Sequence, residues 1–187
     1  QVSPKGEYYL TATVELAVRA GLPVQAIVLE EPLEAIGINT RIHLAEADLA
    51  MRTRINEGHM LSGVTLIDPA STYIDAGVTI GRDSVIWPNT YLHGKTGIGE
   101  NCVIGPDTVI HDSKIENRCK VLKSMLEGAW LEDGVDIGPF ARLRKGAHLC
   151  RGVHMGNFGE VKDSTLGPGT KRGHFSYPGN ATVAGEV

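Results

Sequence analysis

Two basic residues of this sequence are spaced so that they could form an anion site. Arg144 follows the apolar Leu143, Lys162 follows the apolar Val161, and the two basic residues are 18 positions apart. Apolar residues recur every six positions here, so both basic side chains should point outward and lie one above the other. Like charges on neighbouring strands disfavour each other by up to about 1 kcal/mol. A bound anion would reverse that sign, and the phosphate of a sugar phosphate suits the pair.

Two further polar residues reach the same face by the same counting. Tyr177 precedes the inward position 178, and His174 lies at the corner that leads into that strand. An imidazole, with an unperturbed pKa of about 6.5, can accept a proton at neutral pH. The pattern therefore predicts a catalytic face, and the alternative is a solvated basic face with a corner histidine.

A six-residue repeat positions these side chains. Its aliphatic residues occur at every sixth position, at Ile74, Ile80, Ile86, Leu92, Ile98, Ile104 and Ile110. The six-residue spacing is interrupted between positions 115 and 131 and resumes at Ile137. Neither a helix nor a flat strand has this period, which is typical of a parallel β-helix with three hexads in each coil. The residues that we expect to line its core are Ile80, Ile86, Ile98, Ile104, Ile137, Leu143 and Leu149.

Residues 1–67 show a different pattern, which predicts mixed α/β structure. We expect a short helix from Thr11 to Ala20, a buried strand from Val24 to Glu30, and a longer helix from Thr40 to about His59. These elements are too few to close a sheet. The pattern therefore indicates the last part of a larger α/β domain.

Composition agrees with a repetitive β architecture and excludes some functions. Apolar residues make up 42% of the 187 residues, aromatic residues only 5%, and there are 23 glycines. The formal charge of −4 gives no electrostatic reason to expect nucleic-acid or membrane binding. The cysteines Cys102, Cys119 and Cys150 show no CxxC spacing, so we expect them to act as small apolar residues in a reducing compartment.

Five segments resemble one enzyme family in its own order: GEYYLT (6–11), GINTR (37–41), GPFARLR (138–144), MGNFGEVK (155–162) and GTKRGHFSY (169–177). The family is that of the bacterial bifunctional UDP-N-acetylglucosamine pyrophosphorylases/glucosamine-1-phosphate N-acetyltransferases. The resemblance implies a left-handed parallel β-helix, a cytoplasmic homotrimer, acetyl-CoA as acyl donor, and a Mg²⁺-dependent uridylyltransferase domain.

The same resemblance implies a role for each candidate residue. His174 is similar to the family's general base, which takes a proton from the sugar amine. Arg144 and Lys162 resemble the ligands of the phosphate and sugar, and Tyr177 resembles a further substrate hydrogen-bond donor. Asn39 resembles a Mg²⁺ ligand of the uridylyltransferase site, although it would equally cap a helix that starts near Thr40.

The resemblance also divides the chain. Residues 1–67 match the C-terminal part of the uridylyltransferase domain with its linker helix, and residues 68–187 match the N-terminal part of the β-helix. The family's nucleotide loop would lie before Gln1, and the coils that complete its CoA site would lie after Val187. We therefore expect no UTP binding and little or no catalysis from this stretch by itself.

Three positions depart from the family pattern. Lys145 stands where proline usually follows the arginine, and Arg172 and Pro178 occupy inward positions where aliphatic residues are usual. An inward arginine must extend to solvent or find a partner.

Other interpretations start from the same repeat. His93 and His111 are also 18 positions apart and could suggest a metal site, as in hexapeptide-repeat carbonic anhydrases, but a third histidine at a suitable position is missing. Two exposed histidines are the alternative. The repeat itself is also compatible with an acyltransferase that has another acceptor, and with a non-catalytic scaffold.

Overall fold

A computed structural model describes residues 6 and 8–185 of the chain. Predictions that fall on residues 1–5, 7, 186 and 187 lie outside these described residues. The chain divides into two units, Gln1–Asn39 and Thr40–Val187.

Among residues 6 and 8–39, the first unit contains one α-helix and lacks the predicted strand. Helix α1 spans Ala12–Arg19, and a short 3-10 helix spans Pro32–Ala35. The strand expected from Val24 to Glu30 was wrong, because no strand forms there and the side chains of Ile27 and Val28 are 84% and 89% exposed. A strand needs a hydrogen-bonded neighbour, and none pairs with this segment within the described residues.

The second unit begins with the predicted long helix, α2, which spans Arg41–Leu61. Its N-cap is Thr40, whose side-chain oxygen accepts a hydrogen bond from the His43 amide at 3.2 Å. The alternative that Asn39 caps this helix is therefore wrong.

The end of α2 is fastened to the first coil by a buried amide. Asn56 is 2% exposed, and its Nδ2 donates to the carbonyl oxygens of Pro69 at 3.0 Å and Thr72 at 3.1 Å. These hydrogen bonds satisfy the buried amide nitrogen and join α2 to the first coil.

Three parallel sheets form the rest of the unit. Each coil supplies one strand to each sheet, except that the last coil of the described residues supplies none to the second sheet. The first sheet contains β1 (Thr65–Leu66), β4 (Val85–Ile86), β7 (Val103–Ile104), β10 (Lys120–Val121), β13 (Asp136–Ile137), β16 (His154–Asn157) and β19 (Lys171–His174). The second contains β2 (Thr72–Ile74), β5 (Thr90–His93), β8 (Thr108–His111), β11 (Met125–Glu127), β14 (Arg142–Leu143) and β17 (Glu160–Val161). The third contains β3 (Thr79–Ile80), β6 (Gly97–Ile98), β9 (Lys114–Ile115), β12 (Trp130–Leu131), β15 (Ala147–Leu149), β18 (Ser164–Leu166) and β20 (Thr182–Val183). This solenoid of about seven turns matches the predicted left-handed parallel β-helix.

Coil length varies, but the strands stay aligned. Tyr73 pairs with Tyr91, 18 residues later, whereas Lys114 pairs with Trp130, 16 residues later. The interruption of the repeat between positions 115 and 131 therefore shortens the turns between strands. It does not change the pairing of the strands.

The aliphatic residues fill the core as predicted. Six of the seven expected residues are at most 5% exposed: Ile86, Ile98, Ile104, Ile137, Leu143 and Leu149. Ile80 is only partly buried, because β3 is the edge strand of its sheet. Hydroxyls at the inward corner positions bond to the backbone, as in the 2.7 Å hydrogen bond from Thr90 Oγ1 to the Trp87 carbonyl oxygen.

The solenoid starts slightly earlier than the predicted segment 68–187. Strand β1 pairs with β4 and so belongs to the first coil. The assignment of residues 1–67 to the end of an α/β domain stays a prediction. None of the helices formed by the described residues is long and apolar enough to cross a membrane.

Candidate active site

The two basic residues lie side by side on the outer surface of the second sheet. Leu143 pairs with Val161 inside the coil, and the Arg144 amide donates to the Val161 carbonyl oxygen at 2.9 Å. Arg144 and Lys162 each follow one of these buried residues. The repeat thus places both charges on one face of two neighbouring coils.

A carboxylate that the sequence interpretation missed lies beside them. Arg144 Nη1 is 3.1 Å from Glu160 Oε1, and the two side chains are 41% and 38% exposed. Lys162 Nζ is 4.0 Å from Asp163 Oδ2, at the limit of an ion pair. Glu160 therefore relieves the expected charge repulsion. Its place two residues before Lys162, with the same outward direction, was visible in the repeat.

Tyr177 joins this surface from the next coil. Lys162 and Gly179 form an isolated parallel β-bridge through their backbones. The Glu160 amide donates a hydrogen bond to the Ser176 carbonyl oxygen at 2.9 Å. The Tyr177 ring lies close to Gly179. A Cβ atom built on Gly179 would be only 2.9 Å from the Tyr177 hydroxyl oxygen. We call the surface formed by Arg144, Lys162 and Tyr177 the basic face.

His174 lies around the corner from the basic face. It is the last residue of β19, and it pairs with Asn157 of β16. Its ring is exposed and meets the Phe175 ring edge-on, with 5.6 Å between the centroids. Within the described part of the chain, the imidazole makes no hydrogen bond or ion pair. Its strand β19 belongs to the first sheet, whereas Arg144 and Lys162 follow strands β14 and β17 of the second sheet.

Stacked phenylalanines form the corner between His174 and the basic face. Phe140 stacks on Phe158 at 5.4 Å, and Phe158 stacks on Phe175 at 5.2 Å. All three have positive φ, at 63°, 55° and 47°, a conformation that is uncommon for residues other than glycine. The sequence interpretation missed this ladder, although its spacings of 18 and 17 residues match the coil.

The three positions that depart from the family pattern pack differently. Pro178 is buried, and Lys145 is exposed. Arg172 pairs with the fully buried Met155, and its Nε is buried with no hydrogen-bond partner. Arg172 therefore keeps a polar atom inside the last described coil.

A close approach of two glycines fixes the strand that carries His174. A Cβ added to Gly156 in β16 would collide with the Gly173 carbonyl oxygen, whereas one added to Gly173 would meet nothing within 4 Å. We expect Gly156→Ala to lower the free energy of unfolding by about 1–3 kcal/mol, because β19 must move away. Urea unfolding of this variant and of the control Gly173→Ala, which should stay near the wild type, measures the difference. Equal stability of the two variants would contradict the close approach.

Asn39 belongs to no group of potential metal ligands found among residues 6 and 8–185. It is exposed and immediately precedes the α2 cap. Mg²⁺ prefers several oxygen ligands, including carboxylates. Among residues 6 and 8–185, the single group of three His, Cys, Asp or Glu side chains that could hold a metal lies elsewhere, at Glu132, His148 and Cys150. The described residues around Asn39 therefore do not fit Mg²⁺ by themselves.

The stacked histidines are paired as expected, but each has its own carboxylate. His93 pairs with His111 across β5 and β8. His93 Nδ1 is 3.2 Å from Asp75 Oδ1, and His111 Nδ1 is 3.3 Å from Asp112 Oδ2. Because each imidazole ring is paired with a different carboxylate, the two rings do not form a shared cation site.

Comparison with known proteins gives strong sequence similarity to one kind of enzyme. The chain is 52% identical over 183 residues to the bifunctional protein GlmU of Lactococcus lactis subsp. lactis. It is 47% identical over the same length to that of Streptococcus suis. Each match covers 98% of this chain and 40% of the relative, so the chain spans less than half the length of these relatives. No protein-family profile matches the chain.

Solved structures show only weak likeness. A putative acetyltransferase of Bacillus cereus is 18% identical with a TM-score of 0.31, covering 63% of this chain and 75% of that one. A UDP-N-acetylglucosamine acyltransferase of Campylobacter jejuni is 19% identical with a TM-score of 0.29, covering 63% and 64%. Superpositions this poor do not bear on the function of the chain.

Proposed function

We propose that this chain belongs to the bifunctional GlmU family and has an N-acetyltransferase function, which the 52% identity over 98% of its length supports. The reaction moves acetyl from acetyl-CoA to the amine of glucosamine-1-phosphate. The observation that carries the proposal is the basic face, with a histidine one corner away that makes no hydrogen bond or ion pair within the described residues.

Arg144 and Lys162 would hold the phosphate of the acceptor sugar. A phosphate between them would compete with Glu160 for the guanidinium, which can bind two oxygens at once. Tyr177 would donate a hydrogen bond to the sugar. Together these contacts would fix the sugar and leave its amine free to react.

His174 would serve as the general base. The sugar amine attacks the thioester carbonyl, a C–N bond forms, and the C–S bond to CoA then breaks. His174 takes the proton that the amine loses and passes it to the departing thiolate, so CoA leaves as the thiol. The edge-on contact with Phe175 limits the orientations of the imidazole.

Further parts of the proposal concern the complete protein. They are uridylyl transfer from UTP, Mg²⁺ bound with the help of Asn39, a homotrimer, and a cytoplasmic location. The name of the relatives, which denotes two functions, supports a second activity. Any Mg²⁺ would supply charge neutralisation at the phosphates, and its remaining ligands would have to come from outside residues 6 and 8–185.

Two measurements test the acetyltransferase proposal. Calorimetric titration of the chain with glucosamine-1-phosphate should detect binding that Lys162→Ala weakens. A chimera in which this chain replaces the matching stretch of the Lactococcus lactis relative should transfer acetyl to that sugar, while the chain alone should show little or no turnover. A folded chimera that binds neither the sugar phosphate nor acetyl-CoA would favour the scaffold interpretation.

Loss of either basic side chain should mainly raise KM. In the chimera, we expect Arg144→Ala and Lys162→Ala to raise the KM for glucosamine-1-phosphate about 10-fold or more, since a phosphate ligand acts in both ground and transition states. Steady-state kinetics measures this change. Lys145→Ala is the matched control, because Lys145 is exposed beside Arg144. An unchanged KM in both variants, or an equal rise in the control, would remove the phosphate role.

A further inference from the structure

A second cluster of reactive side chains lies on the third sheet, away from the basic face. It contains Glu132, His148 and Cys150, whose ligand atoms all lie within 4.8 Å of one another. His148 Nε2 is 2.8 Å from Glu132 Oε1 and 4.0 Å from Cys150 Sγ. The proposed acetyl transfer uses none of these residues.

The repeat explains why the three groups meet. His148 and Cys150 are two positions apart, so both point outward beside the buried Leu149. Leu131 pairs with Leu149, and the Glu132 amide donates to the Leu149 carbonyl oxygen at 2.9 Å, so Glu132 follows alongside Cys150. Two neighbouring coils therefore supply one carboxylate, one imidazole and one thiol.

The cluster is held in place before any ligand arrives. His148 stacks on Trp130 with 4.1 Å between the ring centroids and 4° between the planes. The Arg151 amide donates to Glu132 Oε2 at 2.9 Å, which turns the other carboxylate oxygen towards the imidazole. The side chains of His148 and Glu132 are only 25% and 27% exposed. A ligand would thus meet a preorganised and partly desolvated group.

We propose that Glu132, His148 and Cys150 form a binding site for a borderline-soft divalent cation, Zn²⁺, which joins two neighbouring coils. Zn²⁺ accepts thiolate, imidazole and carboxylate ligands at about 2.0–2.3 Å, usually in tetrahedral geometry. Ligand atoms in such a site are about 3–4 Å apart, so the observed separations need only small side-chain movements. A water would take the fourth position.

The charges suit a cation of this kind. Binding displaces the thiol proton of Cys150 to solvent, and the thiolate with the Glu132 carboxylate then neutralises the two charges of the metal. Lys114 Nζ lies 4.7 Å from the ring centroid of Trp130, which stacks on His148, and it pairs with Glu116 at 2.9 Å. Its charge is thus already compensated.

The other cysteines and a similar histidine provide controls. Cys102 and Cys119 are fully buried, so neither reaches a surface cation. His154 lies 3.5 Å from Asp136 Oδ2 on the first sheet, a histidine–carboxylate pair without a thiol. His154→Gln should therefore leave the site intact.

Calorimetric titration of the chelator-treated chain with Zn²⁺ tests the proposal. We expect one site, with affinity at least about 10-fold weaker in each of Cys150→Ser, His148→Gln and Glu132→Gln, and unchanged in His154→Gln. With Co²⁺ as a probe, the wild type should show thiolate-to-metal charge-transfer absorption, and Cys150→Ser should lose it. Zn²⁺ should also raise the Tm of the wild type but not of Cys150→Ser.

Several results would overturn the site. They are equal Zn²⁺ affinity in the wild type and Cys150→Ser, a Co²⁺ charge-transfer band that persists in Cys150→Ser, and equal weakening by His154→Gln. Circular dichroism of each variant confirms that the β-helix is folded, so a loss of binding reports on the ligand set.

Discussion

We expect His174→Ala to lower the kcat for the proposed acetylation of glucosamine-1-phosphate by about 10²–10⁴-fold, the usual contribution of a positioned general base. The imidazole is exposed at the end of β19 and makes no hydrogen bond or ion pair within the described residues, so it is available to the sugar amine. Its loss should leave the KM for the sugar nearly unchanged, because in the proposed site Arg144 and Lys162 would still hold the phosphate. Steady-state kinetics of the chimera with the Lactococcus lactis relative measures both constants.

The pH profile separates catalysis from packing. A base lost with His174 removes the acidic limb of the kcat profile, whereas a packing role would change stability and leave that limb in place. His154→Ala is the matched control, since His154 is an exposed histidine on the same sheet. Near-normal kcat in His174→Ala would show that the base lies elsewhere and that His174 is a surface residue.

Leu143→Ala should lower the free energy of unfolding by about 2–5 kcal/mol. Leu143 is fully buried and lies between Leu126 and Val161 on the neighbouring coils. The cavity would therefore open in the middle of the stack, where each coil depends on its neighbours for stability. Urea unfolding followed by circular dichroism measures the change.

Leu61→Ala provides the control for the loss of apolar volume. Leu61 is 90% exposed at the end of α2, so its truncation should change stability by less than about 0.5 kcal/mol. A similar loss of stability in both variants would mean that Leu143 is not enclosed by the stack.

The sequence predicted the solenoid well because its period has a direct physical cause. An inward position recurs every six residues, so Ile86, Ile104 and Leu149 could be placed in the core from spacing alone. The same counting placed Arg144 and Lys162 on one face. The strand expected from Val24 to Glu30 was wrong, because an apolar run has strand propensity but does not specify the neighbour with which a strand must pair.

Spacing also explains what was missed. Cys150 was expected to be a small apolar residue, yet it lies beside His148 and Glu132. His148 and Cys150 are close in sequence, but Glu132 reaches them from the previous coil. Glu132 is 18 positions before Cys150, so the repeat places the two side by side, but the sequence interpretation did not compare this carboxylate with this thiol.

The variable corners have a consequence for how such a protein changes over generations. Between β9 and β12 the coil is two residues shorter than the 18-residue coil between β2 and β5, yet Ile115 still stacks on Leu131. Insertions and deletions at corners can therefore accumulate without disturbing the side chains that the strands present. In this architecture a functional surface depends on which positions stack on neighbouring coils. The number of residues between those positions can change without altering the surface.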